Sequence, residues 1–144
     1  MSARLTIVIA AVAALGAASL AVGASQAAPA PGPDYEFFKT RVQPVFIKKR
    51  QGHARCYQCH VEANNFLRLE RLAPGQTTWN EDQSRKQFES ISKLITPANR
   101  ANSRLLIHPL APEAGGDLFH SGGRQFDSKD DPDFKILAQW AGVQ

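Results

Sequence analysis

Both cysteines of the sequence fall in one pentapeptide, Cys56-Tyr57-Gln58-Cys59-His60. Two thiols three residues apart, followed at once by an imidazole, have the spacing of c-type haem attachment. Each thiol can add to one of the two vinyl groups of a haem as a thioether, and the next residue sets an imidazole beneath the iron. Cys56 and Cys59 are therefore expected to hold the macrocycle and His60 to be its proximal ligand. The competing readings are a thioredoxin-like redox pair, a structural disulfide and half of a zinc site. A zinc site needs further Cys or His at suitable spacing, and a thioredoxin-like pair belongs after a strand in a βαβ pattern that is missing here.

The elements that must position this motif read as helices. Asp34 can cap a helix whose apolar residues Phe37, Phe38, Val42, Val45 and Phe46 recur at three- and four-residue spacing, with Pro44 expected to kink it or end its first half. A second helix is expected over 81–96, with Phe88, Ile91, Leu94 and Ile95 on one face and Pro97 as its limit. Residues 103–107 read as a short helical turn before Pro109, and 61–75 as an irregular stretch closed by Pro74-Gly75. Residues 113–126 read as a loop whose Gly115, Gly116, Gly122 and Gly123 suit positive φ or a close approach to something such as a cofactor. Asp131-Pro132-Asp133 starts a last helix carrying Phe134, Ile136, Leu137 and Trp140 and stopped by Gly142. Hairpin signals and internal repeats are absent, so the expected architecture is mainly α with long connections.

Length and address set the frame. Met1 to Arg4 is a short basic start, residues 5–22 form an uncharged apolar run, and Ser25-Gln26-Ala27 fits a cleavage site, so residues 1–27 read as an export signal. The rival is an uncleaved anchor, since the run is just long enough to span a bilayer. Removing 27 of 144 residues leaves 117, enough for one core and small enough to gain from a cofactor. Residues 28–33 form a Pro/Ala-rich leader and 34–144 the folded domain. The processed chain carries 16 Lys+Arg against 13 Asp+Glu, too small an excess for a nucleic-acid binder. Asp127 to Asp133 lacks the glycine and terminal glutamate of a calcium loop, and a helix cap explains most of its acids. The only methionine is Met1, so the processed chain has none.

Over most of Asp34 to Gln144 the chain resembles the monohaem c-type cytochromes of the small, helical, class-I-like fold. The resemblance is carried by the aromatic pair Phe37-Phe38 with Val42-Gln43-Pro44, by Cys56 to His60, and by the terminal Trp140-Ala141-Gly142. It implies an all-α fold, a small cytochrome-c-like helical domain wrapped around one covalently attached haem. In such relatives the sixth iron ligand is usually a methionine about twenty residues before the helix-ending tryptophan. Here that place holds Phe119-His120-Ser121-Gly122-Gly123, a departure from the pattern. The resemblance thus points to His120 as the second axial ligand, with glycines that let a loop fold over the ring. His108, in an apolar stretch, is the alternative, and a vacant or water-filled position is the third. His53 lies only seven residues before His60, on the attachment side, and reads as a polar loop residue or a propionate contact.

A His60/His120 iron is six-coordinate, with a lower reduction potential than a His/Met iron and no position open to oxygen, peroxide or nitrite. The expected function is that of an exported, periplasmic monohaem cytochrome carrying electrons between redox protein partners, not an enzyme. The alternative is a haem-based ligand sensor or enzyme with a labile distal histidine, and a third reading is an electron-relaying subunit of a larger complex. Residues 35–104 hold 13 Lys+Arg against 6 Asp+Glu, while 105–144 hold 3 against 6. Lys48, Lys49, Arg50 and Arg55 near the motif are expected to steer an acidic partner, or to serve as a solvated face or as propionate partners. For Phe37, Val45, Phe134 and Trp140, packing of helix on helix is expected ahead of contact with the haem.

Overall fold

In the computed structural model residues 32–143 are described; the expected signal or anchor segment 1–27 and leader residues 28–31 lie outside them. Asp34 opens the first helical segment, its carboxylate accepting from the Phe37 N–H at 2.6 Å. The segment runs as α1 (Tyr35–Phe37), a π-helical turn (Phe38–Val42) and α2 (Gln43–Ile47). Pro44 neither ends nor interrupts it. The widened turn, in which the Gln43 N–H reaches the Phe38 carbonyl, lies directly before Pro44, which then stands in the first turn of α2 where no N–H is needed. Helix resumes with Val45 and Phe46 facing inward, both buried.

Helix α3 (Cys56–His60) is a single turn. Helix α4 (Glu81–Ser92) starts on a capping box, where Asn80 Oδ1 accepts from Gln83 N and Gln83 Oε1 accepts from Asn80 N. It stops four residues short of the expected Thr96. Leu94 and Ile95 continue in i→i−3 turns to Ile91 and Ser92, which keeps their side chains on the inner side after the helix has ended. A 3-10 turn (Arg100–Asn102) leads into α5 (Arg104–Ile107), as expected, and a second 3-10 turn is Pro112–Ala114. Helix α6 (Pro132–Trp140) begins where Asp131 accepts from the Asp133 and Phe134 N–H groups. Among the described residues there is no strand beyond an isolated bridge between Leu110 and Phe126, so the fold is all-α, and no helix is long and apolar enough to cross a membrane.

The core forms where the first segment, α4 and α6 meet. Phe38 packs on Trp140 with ring centroids 5.2 Å apart, and Phe88 meets Phe38 and Trp140 edgewise at 5.7 and 6.0 Å. The Trp140 indole N–H donates to the Asp34 carbonyl at 2.9 Å. Buried Gln43 donates to Thr78 Oγ1 and accepts from Ser84 Oγ at 2.7 Å, fastening the segment to α4.

Two of the basic residues before the motif find acids: Lys48, which stays exposed, and Arg50, which is largely covered. Lys48 pairs with Asp133 at 2.6 Å, and Arg50 pairs with Asp131 while lying 4.4 Å over the Phe126 ring. The four-residue basic patch read from the sequence is therefore reduced, because the acids at the start of α6 neutralise Lys48 and Arg50. Lys49 and Arg55 remain exposed.

Gly116 shows why the 113–126 loop is rich in glycine. A Cβ there would stand 2.0 Å from the Leu110 carbonyl oxygen and 2.9 Å from that of Ile107. Gly116→Ala is expected to cost about 2–4 kcal/mol, because backbone rather than a flexible side chain must yield. Denaturant unfolding measures it, and a loss below about 0.5 kcal/mol would mean that the loop closes without this contact.

Candidate functional site

The single turn of α3 sets Cys56 at one end and Cys59 and His60 at the other, so all three border one cavity. Val45 and Phe46 from α2, Leu105 from α5, Leu137 from α6, and Leu94 and Phe126 complete an apolar wall. Counted out to its open side, the space between these walls is about 1040 Å³. Val45, expected only to pack helix against helix, is part of both core and wall; Phe37, Phe134 and Trp140 are not on the wall.

Across the cavity from His60 stands His120. Their ring centroids are 6.2 Å apart and their planes 31° apart. Two imidazoles bound in line to one metal atom through bonds of about 2.0 Å have centroids about 6.3 Å apart. Each ring is also turned to offer Nε2. His60 Nδ1 lies 2.7 Å from the Leu67 carbonyl and His120 Nδ1 lies 2.6 Å from the Gly123 carbonyl. A carbonyl only accepts, so Nδ1 carries the proton and the lone pair stays on Nε2. Burial, and the neighbouring His120 and His108, hold the His60 pKa below its ordinary value against the opposing pull of the Leu67 carbonyl, which keeps the ring neutral as a ligand must be.

The local backbone explains these orientations. The chain after α3 doubles back so that Leu69 N–H donates to the His60 carbonyl at 3.0 Å, which brings the Leu67 carbonyl over the imidazole. On the other side, Gly123 adopts φ +73 and closes a turn on the His120 carbonyl, while Gly122 lies against the ring, where a Cβ would be 3.4 Å from Cε1. Tyr57 fixes the returning segment by accepting from Leu72 N–H at 2.8 Å.

His108 borders the same cavity, with its ring edge-on to His120 at 4.8 Å and its Nδ1 2.7 Å from Asp117 Oδ2. His53 is not on the wall; its Nδ1 meets the Arg124 carbonyl at 3.0 Å, tying the loop before Cys56 to the loop after His120. The two thiols are free, and burial pushes the Cys56 pKa up to about 11. Redox-active CxxC pairs lower the pKa of their attacking thiol, the opposite of the direction at Cys56.

No protein-family model, curated protein or solved structure matches this chain. Among the described residues no three His, Cys, Asp or Glu side chains gather closely enough to form a metal cage. A haem iron asks the protein for only two, and it brings its own four nitrogens. The donor set fits that demand: thiols from Cys56 and Cys59 on one wall, imidazoles from His60 and His120 facing each other, and apolar side chains around them. Of the residues that orient the imidazoles, Gly123 is marked by its glycine-rich loop, whereas Leu67 and Asp117 have no periodic or motif signal in the sequence.

Proposed function

We propose that this chain is an exported monohaem c-type cytochrome, a small cytochrome-c-like domain built around one haem, which carries electrons between redox protein partners. The observation that carries the reading is the pair His60 and His120, facing at 6.2 Å across an apolar cavity whose wall also bears Cys56 and Cys59. When bound, haem supplies a one-electron ferric/ferrous couple. The chain's own residues do the rest. Cys56 and Cys59 would hold the group covalently, and His60 and His120 would supply the imidazole nitrogens for its iron. Val45, Phe46, Leu105 and Leu137 would exclude water, and two imidazoles would favour the ferric state more than an imidazole with a thioether does. The reduction potential is accordingly expected below that of a His/Met site of similar burial.

Exposed apolar side chains flank the cavity. Phe66 is 77% exposed on its wall, and Leu118 and Phe119, next to His120, are 93% and 75% exposed. With Lys49, Arg55 and Arg104 exposed as well, they suit brief contact with an acidic redox partner. The second reading, a ligand sensor or enzyme, draws on one observation: the hydrogen bond that orients the His120 imidazole comes from within its own glycine turn.

The test is the visible spectrum of the protein produced with a cytochrome c maturation system, recorded oxidised, reduced, and reduced under carbon monoxide. A low-spin spectrum in both oxidation states, unchanged by carbon monoxide, is expected. Ready uptake of carbon monoxide by the wild type would overturn the electron-carrier reading and favour the sensor or enzyme.

A further inference from the structure

We infer that His108 is a reserve ligand, which replaces His120 on the iron when the Gly122-Gly123 turn lets go, so that two closed ligation states share one site. This rests on the haem reading above. Both imidazoles border the same cavity, 4.8 Å apart and nearly perpendicular at 82°. With its Nδ1 on the Asp117 carboxylate, the neutral form of His108 has its lone pair on Nε2, and the ring is held in place before any exchange.

The two residues are held very differently. His108 continues α5, its N–H donating to the Arg104 carbonyl at 3.2 Å, and Leu105, Leu106 and Leu110 around it are buried. His120 sits on a short turn between the exposed Leu118-Phe119 pair and two glycines. Segments with few buried contacts are the first to open. Room for departure exists, since His120 also borders a second hollow, on the side of Leu110, Pro112 and Leu118. The exchange balances between imidazoles in their neutral form: one iron–nitrogen bond breaks, another forms, and no electron is gained or lost.

The states differ in donor strength. A carboxylate on Nδ1 makes an imidazole more basic than a backbone carbonyl does, so the His60/His108 state has the lower reduction potential. Release of the turn therefore shifts the potential without opening the iron.

The experiment compares haem-loaded wild type, His108→Ala, His120→Ala and the double variant by visible and electron paramagnetic resonance spectra, carbon monoxide titration and redox potentiometry. His120→Ala is expected to remain low-spin and to bind carbon monoxide at least about tenfold more weakly than the double variant, because His108 must first be displaced. Its potential should lie below that of His108→Ala, and adding Asp117→Asn should raise it. His120→Gln carries the same readouts should the alanine chain not accumulate. If His120→Ala is high-spin and binds carbon monoxide as the double variant does, the reserve role is overturned while a closed wild type leaves the His60/His120 reading standing. If His108→Ala alone opens the iron, His108 is the resident ligand and the exchange is overturned. A wild type that binds carbon monoxide readily overturns both.

Discussion

Replacing Cys56 and Cys59 together by serine is expected to take covalently held haem from one per chain to none. Wild type matured with its haem should keep the colour through a denaturing gel and through acidified organic solvent. The double variant should release all of it, even where His60 and His120 still gather haem without a bond. Each single variant should retain the group through its remaining thioether. The reason is placement: both thiols are free, both border the cavity, and one helical turn separates them. A group held only by two axial nitrogens leaves when the fold is lost, because its affinity belongs to the native state. Quantitative extraction of haem from the denatured wild type would remove the covalent reading and leave a non-covalent haem protein at most.

Trp140→Ala is expected to be the most damaging single change to stability, at about 3–5 kcal/mol. Trp140 is 4% exposed, packs against Phe38 and edgewise against Phe88, and holds the Asp34 carbonyl through its indole N–H. Its loss empties the meeting point of the first segment, α4 and α6 and removes one of the two hydrogen bonds to the Asp34 carbonyl, which keeps that from the Phe38 N–H. For a domain of this length the melting temperature should fall by roughly 10–20 °C. Trp140→Phe, which keeps most of the packing but not the donor, should lose about 1–2 kcal/mol. Because Trp140 is not on the cavity wall, the haem spectrum of the folded fraction should be unchanged. A loss under about 1 kcal/mol for the alanine variant would show that the crossing is held elsewhere.

Much of this architecture is legible in residue types, and the limits have physical causes. Asp131 and Pro132 mark the start of α6 because a carboxylate cap and a proline in the first turn are local devices that need no tertiary context. Asn80 and Gln83 set the start of α4 in the same way, but its end is hidden, since i→i−3 turns keep Leu94 and Ile95 on the side that a longer helix would have given them. Pro44 reads as a break because a propensity rule cannot foresee the π-helical turn that accommodates it. Helix at Cys56–His60 carries no capping signal: no side chain caps it, and the chain bends back through long-range contacts of Leu69 and Tyr57. Among the ligand candidates, His60 is visible from its motif. The opposition of His120 to His60, and the nearness of His108 to both, depend on how a glycine-rich loop returns across the cavity. Charge was the least legible feature, since Lys48 and Arg50 find their acids more than 80 residues downstream.

The hydrogen bond between Trp140 and Asp34 also decides where any leash leaves the domain. Phe46, on the cavity wall, lies twelve residues after Asp34 along one nearly continuous helix, which at about 1.5 Å per residue is roughly 18 Å. A chain entering at Asp34, cut or kept as an anchor, thus joins a full helix length from the thiols and imidazoles. Its length can change how far the domain ranges from a surface without altering the cavity, so reach and the chemistry proposed for that cavity are free to vary independently.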